Sequence, residues 1–139
     1  MKENLKILLI EDDTIEVMKF KRVLSGIQEQ VICNVHTAED GEQALNVLKT
    51  KSFVPDIILL DLNMPKIGGI EFLSLLKDDD FLKFIPTIIL TTSSNERDVL
   101  DCYKIGVAGY VVKPLKFEDY ALKLNHLIRY WSINQLIKF

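Results

Sequence analysis

The chain has 139 residues, of which 48% are hydrophobic and 27% are charged, and its net charge is −3. This length fits one domain with a substantial core, and the composition is ordinary for a globular protein. No basic stripe indicates a nucleic-acid surface, no apolar run approaches the roughly 20 residues of a membrane helix, and no signal peptide opens the chain. We therefore expect a cytoplasmic protein that binds neither nucleic acid nor membrane. Cys33 and Cys102 are expected to be reduced, half-buried thiols.

Short apolar runs alternate with helical patterns five times along the chain. The runs are typical of buried parallel strands, and the segments between them repeat apolar residues at three- and four-residue steps, as helices do. Gly26 stands where the first helix would end, and Asn95 stands where the fourth would be capped. The predicted strands are 6–11, 31–37, 56–61, 86–91 and 108–112. The predicted helices are 14–26, 40–51, 69–78, 96–105 and 116 onward.

A regular strand–helix alternation with short loops predicts a doubly wound parallel α/β sheet that is covered on both faces. Because no linker, repeat or low-complexity segment divides the chain, we expect a single domain. Residues 132–139 either extend the last helix or form a separate tail.

Asp61 is the most informative residue, since it ends the four-residue apolar run 57–60. An ionised aspartate is costly to bury there unless its charge is used, and open α/β sheets bind ligands at the carboxyl ends of their strands. Taken singly, the polar residues at the other strand ends could be helix caps, strand filling or a solvated lysine. Their joint placement on one edge favours a common site. These residues are Glu11, Asp12, Asp13, Thr91, Thr92 and Lys113.

Clustered carboxylates repel one another unless a cation neutralises them, and an all-oxygen site with room for water suits Mg²⁺. A carboxylate beside Mg²⁺ can attack phosphorus and form an acyl phosphate. A nearby hydroxyl and ammonium could then hold the phosphoryl oxygens. The residue types and the predicted topology thus lead to phosphoryl transfer onto Asp61.

Four motifs in register resemble the receiver domain of bacterial two-component response regulators. The chain resembles the stand-alone type and, more loosely, the small regulators that partner phytochrome-like kinases. This resemblance implies a flavodoxin-like (βα)5 fold with strand order 2-1-3-4-5, a receiver domain over residues 4–131, and a phosphoacceptor signalling protein rather than an enzyme. The motifs are KILLIEDD at 6–13, DLNMP at 61–65, IILTT at 88–92 and GYVVKP at 109–114.

The resemblance also implies how the acids divide their roles. Asp61 is the phosphoacceptor, which receives a phosphoryl group from a histidine kinase or a phosphotransfer protein. Glu11 and Asp12 form the acidic pair for Mg²⁺, with Asp12 the direct ligand, and Asp61 and the backbone carbonyl of Asn63 complete the metal site. Asp13 is left to the start of the first helix.

Three further residues of the resemblance describe a switch. Thr91 is the hydroxyl that moves toward the phosphoryl group, and Tyr110 is the aromatic that swings inward when Thr91 moves. Lys113, which precedes a cis-linked Pro114, pairs with a phosphoryl oxygen. Signalling would follow from repacking of the face made by the fourth helix, the fifth strand and the fifth helix. The bulk of Thr92 is expected to narrow access to Asp61.

The last helix carries a second apolar line beside its main stripe, formed by Leu122, Tyr130 and Ile133. Two interpretations stay open, since this line could cover the sheet edge of the same molecule or form a homodimer or partner surface. The apolar tail, which includes Leu136, Ile137 and Phe139, is open to the same two interpretations.

Three other functions are alternatives to that of a receiver. An aspartyl phosphatase needs a second acid two residues after the nucleophile, where this chain has Asn63, and a cap domain that the chain cannot accommodate. A flavin carrier needs a phosphate loop after the first strand, where Glu11, Asp12 and Asp13 would repel phosphate. A degenerate receiver that acts as a phosphorylation-independent adaptor is the serious alternative. Its usual sign is a missing acid, threonine or lysine, and none is missing.

Overall fold

Five strands and five helices alternate in the part of the chain that the computed structural model describes, residues 3–138. The strands are β1 Glu3–Ile10, β2 Val31–Ala38, β3 Ile57–Leu60, β4 Thr87–Thr91 and β5 Gly109–Val112. The helices are α1 Thr14–Ser25, α2 Gly41–Thr50, α3 Gly69–Asp78, α4 Glu96–Ile105 and α5 Phe117–Ser132. All neighbouring strands are parallel, and their order is β2-β1-β3-β4-β5. The predicted doubly wound α/β fold is confirmed.

Helices cover both faces of the sheet, so β3 and β4 are buried at every residue. Phe20 of α1 and Leu124 of α5 belong to the apolar cluster on one face. Ala44 of α2, Phe72 of α3 and Cys102 of α4 belong to the cluster on the other. Neither face of these central strands meets water, which explains why their sequences are continuous apolar runs rather than alternating ones.

The two cysteines are free thiols, as expected, but they differ in burial. Cys33 is half-buried, whereas Cys102 is fully buried on the inner side of α4, so the expectation of a half-buried thiol was wrong for Cys102. A cysteine packs as a small hydrophobic residue. Burial raises the pKa of the Cys102 thiol to about 11, which leaves it protonated and unreactive at neutral pH.

Side-chain caps start three of the helices where the sequence places them. The carboxylate of Asp13 accepts from the backbone N–H of Ile15, which confirms that this acid serves the start of α1. The Asp40 carboxylate caps α2 by accepting from the backbone N–H of Gln43, which was not predicted, whereas Asn95 caps α4 as predicted. Each cap satisfies a backbone donor that the first helical turn leaves free.

The strands of the sheet differ at their ends from the predicted ranges. β1 begins earlier than predicted, at Glu3, because it pairs with β2 from Glu3 opposite Val31 onward. Glu11 and Asp61 lie one residue beyond β1 and β3, yet their backbone N–H groups still donate to Ala38 and Ile10. Hydrogen bonding thus holds both acids at the sheet edge.

Residues 133–138 do not continue α5, which ends at Ser132. Leu136 packs against the cluster beneath α1 and α5, and the Lys138 ammonium lies 2.6 Å from Oδ1 of buried Asp56. Phe139 lies outside the described residues.

The second apolar line of α5 and the tail residue Ile137 do not cover the sheet of the same molecule, because their side chains are exposed. The exposed residues are Leu122, Tyr130, Ile133 and Ile137. Among the described residues, no helix has both the length and the apolar character that crossing a membrane requires.

A three-residue 3₁₀ turn, Leu82–Phe84, lies between α3 and β4 and has no counterpart in the predicted elements. Oδ1 of Asp79 accepts from the backbone N–H groups of Phe81 and Leu82 at 2.9 Å each. Such short turns are set by local side-chain capping, which apolar periodicity does not reveal.

Candidate functional site

Asp61 lies at the carboxyl edge of the sheet, directly after β3. Its backbone N–H donates to the carbonyl of Ile10 at 3.1 Å, and its side chain accepts weakly from the backbone N–H of Asn63 at 3.4 Å. The residue is 9% exposed, so the carboxylate is nearly buried while still reachable from the edge. A buried carboxylate with so little hydrogen bonding is energetically costly, which points to a cationic partner.

Two further acids converge on Asp61. Carboxylate oxygens of Glu11, Asp12 and Asp61 all lie within 4.8 Å of one another. Glu11 is buried and Asp12 is exposed, so the cluster opens to solvent on the Asp12 side. Three carboxylates with an open side fit a hard divalent cation such as Mg²⁺, which prefers oxygen ligands and retains several waters.

Lys113 reaches the same cluster from the end of β5. Its ammonium lies 2.6 Å from Oε1 of Glu11 and 3.5 Å from Oε2 of Glu16, and its side chain is 7% exposed. The backbone N–H of Lys113 donates to the carbonyl of Thr91 at 2.7 Å. This hydrogen bond fixes the position of the Lys113 backbone at the end of the sheet. Glu16 was not among the predicted site residues. The sequence feature that could have identified it is its position in the first turn of α1, which begins close to Glu11.

Burial and charge shift the pKa values of the Glu11–Lys113 pair. Burial raises the pKa of Glu11 to about 7, against the lowering effect of Lys113 and with a further rise from Asp61. Burial lowers the pKa of Lys113, but the hydrogen bond and charge of Glu11, with Asp61 and Glu16, more than offset it, so the pKa of Lys113 is raised overall. Lys113 therefore stays an ammonium at neutral pH, and Glu11 lies close to its titration point.

Thr91 and Tyr110 lie on the adjacent strands β4 and β5, two positions apart in register, and both contact the loop that follows β4. Thr91 is fully buried, and its hydroxyl accepts weakly from the backbone N–H of Ser93 at 3.4 Å. The Tyr110 ring packs against the core beneath α4, and its hydroxyl donates to the carbonyl of Ser93 at 2.9 Å. Tyr110 thus lies inward in this structure. Thr92 is exposed and lines a groove of about 100 Å³ beside Lys113.

Pro114 departs from the expectation that the resemblance implied. Residues 3–138 contain no cis peptide bond, so the Lys113–Pro114 bond is trans and the expected cis linkage is wrong. The trans form is favoured by about 0.5–1 kcal/mol even before proline. Lys113 makes its contact with Glu11 from this trans backbone.

Gly69 allows the loop after β3 to pack closely against the backbone of Asp61 and Leu62. A Cβ at position 69 would lie 2.6 Å from Cα of Leu62 and 2.8 Å from the carbonyl oxygen of Asp61. A Cβ at Gly68 would meet nothing within 4 Å. Only glycine fits at 69, because the backbone there packs directly on the chain behind Asp61.

Comparison with known proteins decides the family. The response regulator receiver domain matches this chain over residues 7–125. The chain belongs to the response regulator receiver family. Response regulator Rcp1 of Synechocystis sp. is 35% identical over 132 residues, which cover 90% of this chain and 87% of that protein.

Two solved receiver structures superpose closely on this receiver domain. The crystal structure of the phosphorylated cyanobacterial phytochrome response regulator RcpA has a TM-score of 0.90 at 32% identity and covers 97% of this chain and 99% of that one. The Mn²⁺-bound form of Rcp1 has a TM-score of 0.89 at 31% identity, with 96% and 99% covered. Receiver domains are phosphoacceptor signalling domains that bind Mg²⁺ or Mn²⁺ at an acidic cluster, and this chain contains such a cluster.

Proposed function

We propose that Asp61 accepts a phosphoryl group from the phosphohistidine of a histidine kinase or phosphotransfer protein. The observation that carries this proposal is the convergence of Asp61 with Glu11 and Asp12, with Lys113 bound to the same cluster. An oxygen of the Asp61 carboxylate attacks phosphorus while the phosphorus–nitrogen bond of the donor breaks. The donor imidazole leaves with the bonding electron pair and takes up a proton.

Glu11, Asp12, Asp61 and the backbone carbonyl of Asn63 would hold Mg²⁺. When bound, the ion neutralises the negative charge that gathers on the phosphoryl oxygens. Lys113 contributes a second positive charge, and its burial keeps that charge close and little screened. Water that reaches Asp61 past the exposed Thr92 would later hydrolyse the acyl phosphate, so the receiver resets itself without being an enzyme for another substrate.

Exposed apolar side chains beside the site support docking of a protein donor. Ile15 and Met18 on α1 are 62% and 70% exposed, and Leu115, two residues after Lys113, is fully exposed. Exposed apolar groups beside a site are suited to cover it in a protein–protein contact. We infer that the donor contacts this rim, which would exclude bulk water during transfer in the cytoplasm.

Phosphorylation would change the packing of the face made by α4, β5 and α5. The phosphoryl group would hold Thr91 toward Asp61 and stabilise the inward position of Tyr110, a population shift between two packings. This face exposes large apolar side chains that a downstream protein or a second copy of the chain could cover. They are Leu100, Tyr103, Leu122, Tyr130 and Ile133.

Intact mass spectrometry tests the proposal. Incubation with Mg²⁺ and acetyl phosphate should add one phosphoryl group to the wild type and none to Asp61→Asn, and chelation of Mg²⁺ with EDTA should abolish the addition. A wild type that gains no mass and binds no beryllofluoride, which mimics the phosphoryl group without transfer, would favour the phosphorylation-independent adaptor. An adduct on Asp61→Asn would overturn the assignment of Asp61.

A further inference from the structure

Ser93 connects three parts of the receiver through its own atoms. Its backbone N–H reaches the Thr91 hydroxyl at 3.4 Å, and its carbonyl accepts from the Tyr110 hydroxyl at 2.9 Å. Its side-chain hydroxyl donates to Oδ2 of Asp98 on α4 at 2.9 Å. A single loop residue therefore contacts the threonine at the strand end, the inward aromatic and the helix that follows.

Asp98 is itself held in place, so its bond to Ser93 constrains the loop. The backbone N–H of Asp98 lies 3.4 Å from Oδ1 of Asn95, the side chain that caps α4. The backbone N–H of Asn95 in turn points to the Ser93 hydroxyl at 3.4 Å. A hydrogen bond to a carboxylate is stronger than a neutral one, and Ser93 and Asp98 are both only partly exposed, which limits competition from water.

The Ser93 carbonyl is the acceptor that the Tyr110 hydroxyl uses in its inward position. If the loop turned and moved this carbonyl away, the half-buried hydroxyl would lose its partner, and an outward ring exposed to water would become favourable. Burial and the nearby Asp98 charge both raise the pKa of Tyr110, which keeps its hydroxyl a donor.

We propose that the Ser93–Asp98 hydrogen bond is a latch that fixes the Ser93 carbonyl and so holds Tyr110 inward before any phosphoryl group arrives. Ser93 and Asp98 are positioning residues, since neither is part of the cluster at Asp61. The functional consequence rests on the proposed function, because it takes Tyr110 as the element that reports phosphorylation. The latch would lower the amount of phosphorylation needed to occupy the signalling state.

Fluorine NMR of the full chain labelled with 3-fluorotyrosine tests the latch directly. The chain has four tyrosines, so Tyr103, Tyr120 and Tyr130 serve as internal references, and Tyr110→Phe assigns the remaining resonance. In the wild type, the Tyr110 resonance should show the small H₂O-to-D₂O shift of a sheltered fluorine. Ser93→Ala and Asp98→Ala should each raise that shift toward the exposed value and leave the other three resonances in place.

Matched variants separate the latch from a general loosening of α4. Ser93→Thr keeps the hydroxyl and should restore the wild-type shift. Glu96→Ala removes a negative charge from the same helical turn at an exposed position and should change nothing. An unchanged Tyr110 resonance in both Ser93→Ala and Asp98→Ala would overturn the latch, and so would an equal change in Glu96→Ala.

Titration with beryllofluoride and Mg²⁺ links the latch to signalling. Ser93→Ala should need a several-fold higher beryllofluoride concentration than the wild type to bring Tyr110 inward. An equal requirement in both proteins would overturn the link to signalling. Failure of the wild type itself to bind beryllofluoride would count against the proposed function. The Tyr110 resonances recorded without beryllofluoride would still test whether the latch holds Tyr110 inward.

Discussion

The ammonium of Lys113 lies 2.6 Å from Oε1 of Glu11, although the two residues are 102 positions apart in the sequence. Glu11 follows the interior strand β1, and Lys113 follows the edge strand β5, with β3 and β4 between them. The long lysine side chain therefore crosses the carboxyl edge of the sheet above Asp61. This contact holds one cation beside three carboxylates and determines the electrostatics of the site.

Replacing Lys113 with Met should destabilise the protein more at pH 8 than at pH 5. The variant leaves Glu11 buried without its cation, a loss of about 3–5 kcal/mol when the remaining charge cannot be neutralised. The folded-state pKa of Glu11, already about 7, should rise further above its unfolded value. Protonation of Glu11 then relieves the cost at pH 5, and the cost grows as pH rises toward the folded pKa. Urea unfolding at both pH values measures the difference.

Lys116→Met, at the exposed residue that precedes α5, is the control for the loss of one positive charge. It should change the free energy of unfolding by less than about 0.5 kcal/mol at either pH. Equal destabilisation of Lys113→Met at pH 5 and pH 8 would contradict the account of Glu11.

The affinity for Mg²⁺ should rise with pH through about 7. Below that pH, the Glu11 carboxyl takes a proton because burial raises its pKa to about 7, and the charge of the cluster falls. One proton competing with the ion weakens binding by at most about tenfold per pH unit. Isothermal titration calorimetry at pH 6 and pH 8 gives the two affinities. Glu11→Gln should bind more weakly and lose this pH dependence, and a Glu11→Gln profile identical to that of the wild type would rule out Glu11 as its source.

Gly69→Ala should disturb the site, whereas Gly68→Ala should not. The new Cβ at 69 would meet the backbone of Leu62 and Asp61 at 2.6 and 2.8 Å, so the loop must move. We expect a loss of about 1–3 kcal/mol of unfolding free energy together with weaker Mg²⁺ binding. Gly68→Ala should stay within about 0.5 kcal/mol of the wild type, since nothing lies within 4 Å of its Cβ. Thermal unfolding with and without Mg²⁺ compares them, and similar losses in both variants would count against close packing at Gly69.

Asp56 should matter more to stability than Lys138, its partner in the tail. Asp56 is buried and accepts from the backbone N–H of Lys6 at 2.8 Å as well as from Lys138 at 2.6 Å. Asp56→Ala leaves that N–H without its acceptor and should cost about 1–3 kcal/mol. The Lys138 side chain is 70% exposed, so solvent screens its charge and Lys138→Met should cost less than about 1 kcal/mol. Urea unfolding gives the free energy of unfolding of both variants. A larger loss in Lys138→Met than in Asp56→Ala would contradict this prediction, because it would show that the contact of the tail contributes more than the Lys6 hydrogen bond.

The sequence was sufficient to predict the sheet and the convergence at its edge. Buried parallel strands require continuous apolar runs, and Asp61 stands out because it interrupts that rule at a strand end. Parallel strands bring their carboxyl ends together, so Glu11, Thr91 and Lys113 could be placed near Asp61 from topology alone. The roles of the individual residues came from the family resemblance rather than from spacing.

Other features depend on contacts that no periodic pattern encodes. The approach of Glu16 to Lys113 depends on how α1 leaves β1, and the path of residues 133–138 depends on the pairing of Lys138 with Asp56. The partner of the Tyr110 hydroxyl is a backbone carbonyl, whose direction is set by the loop conformation. The sequence identifies which side chains carry reactive or charged groups, but the loop conformation determines which of these groups come into contact.

Chemical mapping of the phosphorylated residue tests the central claim most directly. Acyl phosphates are reduced by borohydride, which converts a phosphorylated aspartate into homoserine and leaves free carboxylates intact. After treatment with acetyl phosphate, Mg²⁺ and borohydride, peptide mass spectrometry should find homoserine at position 61 and aspartate at Asp12 and Asp13. Homoserine at position 12 or 13 with unmodified Asp61 would contradict the account.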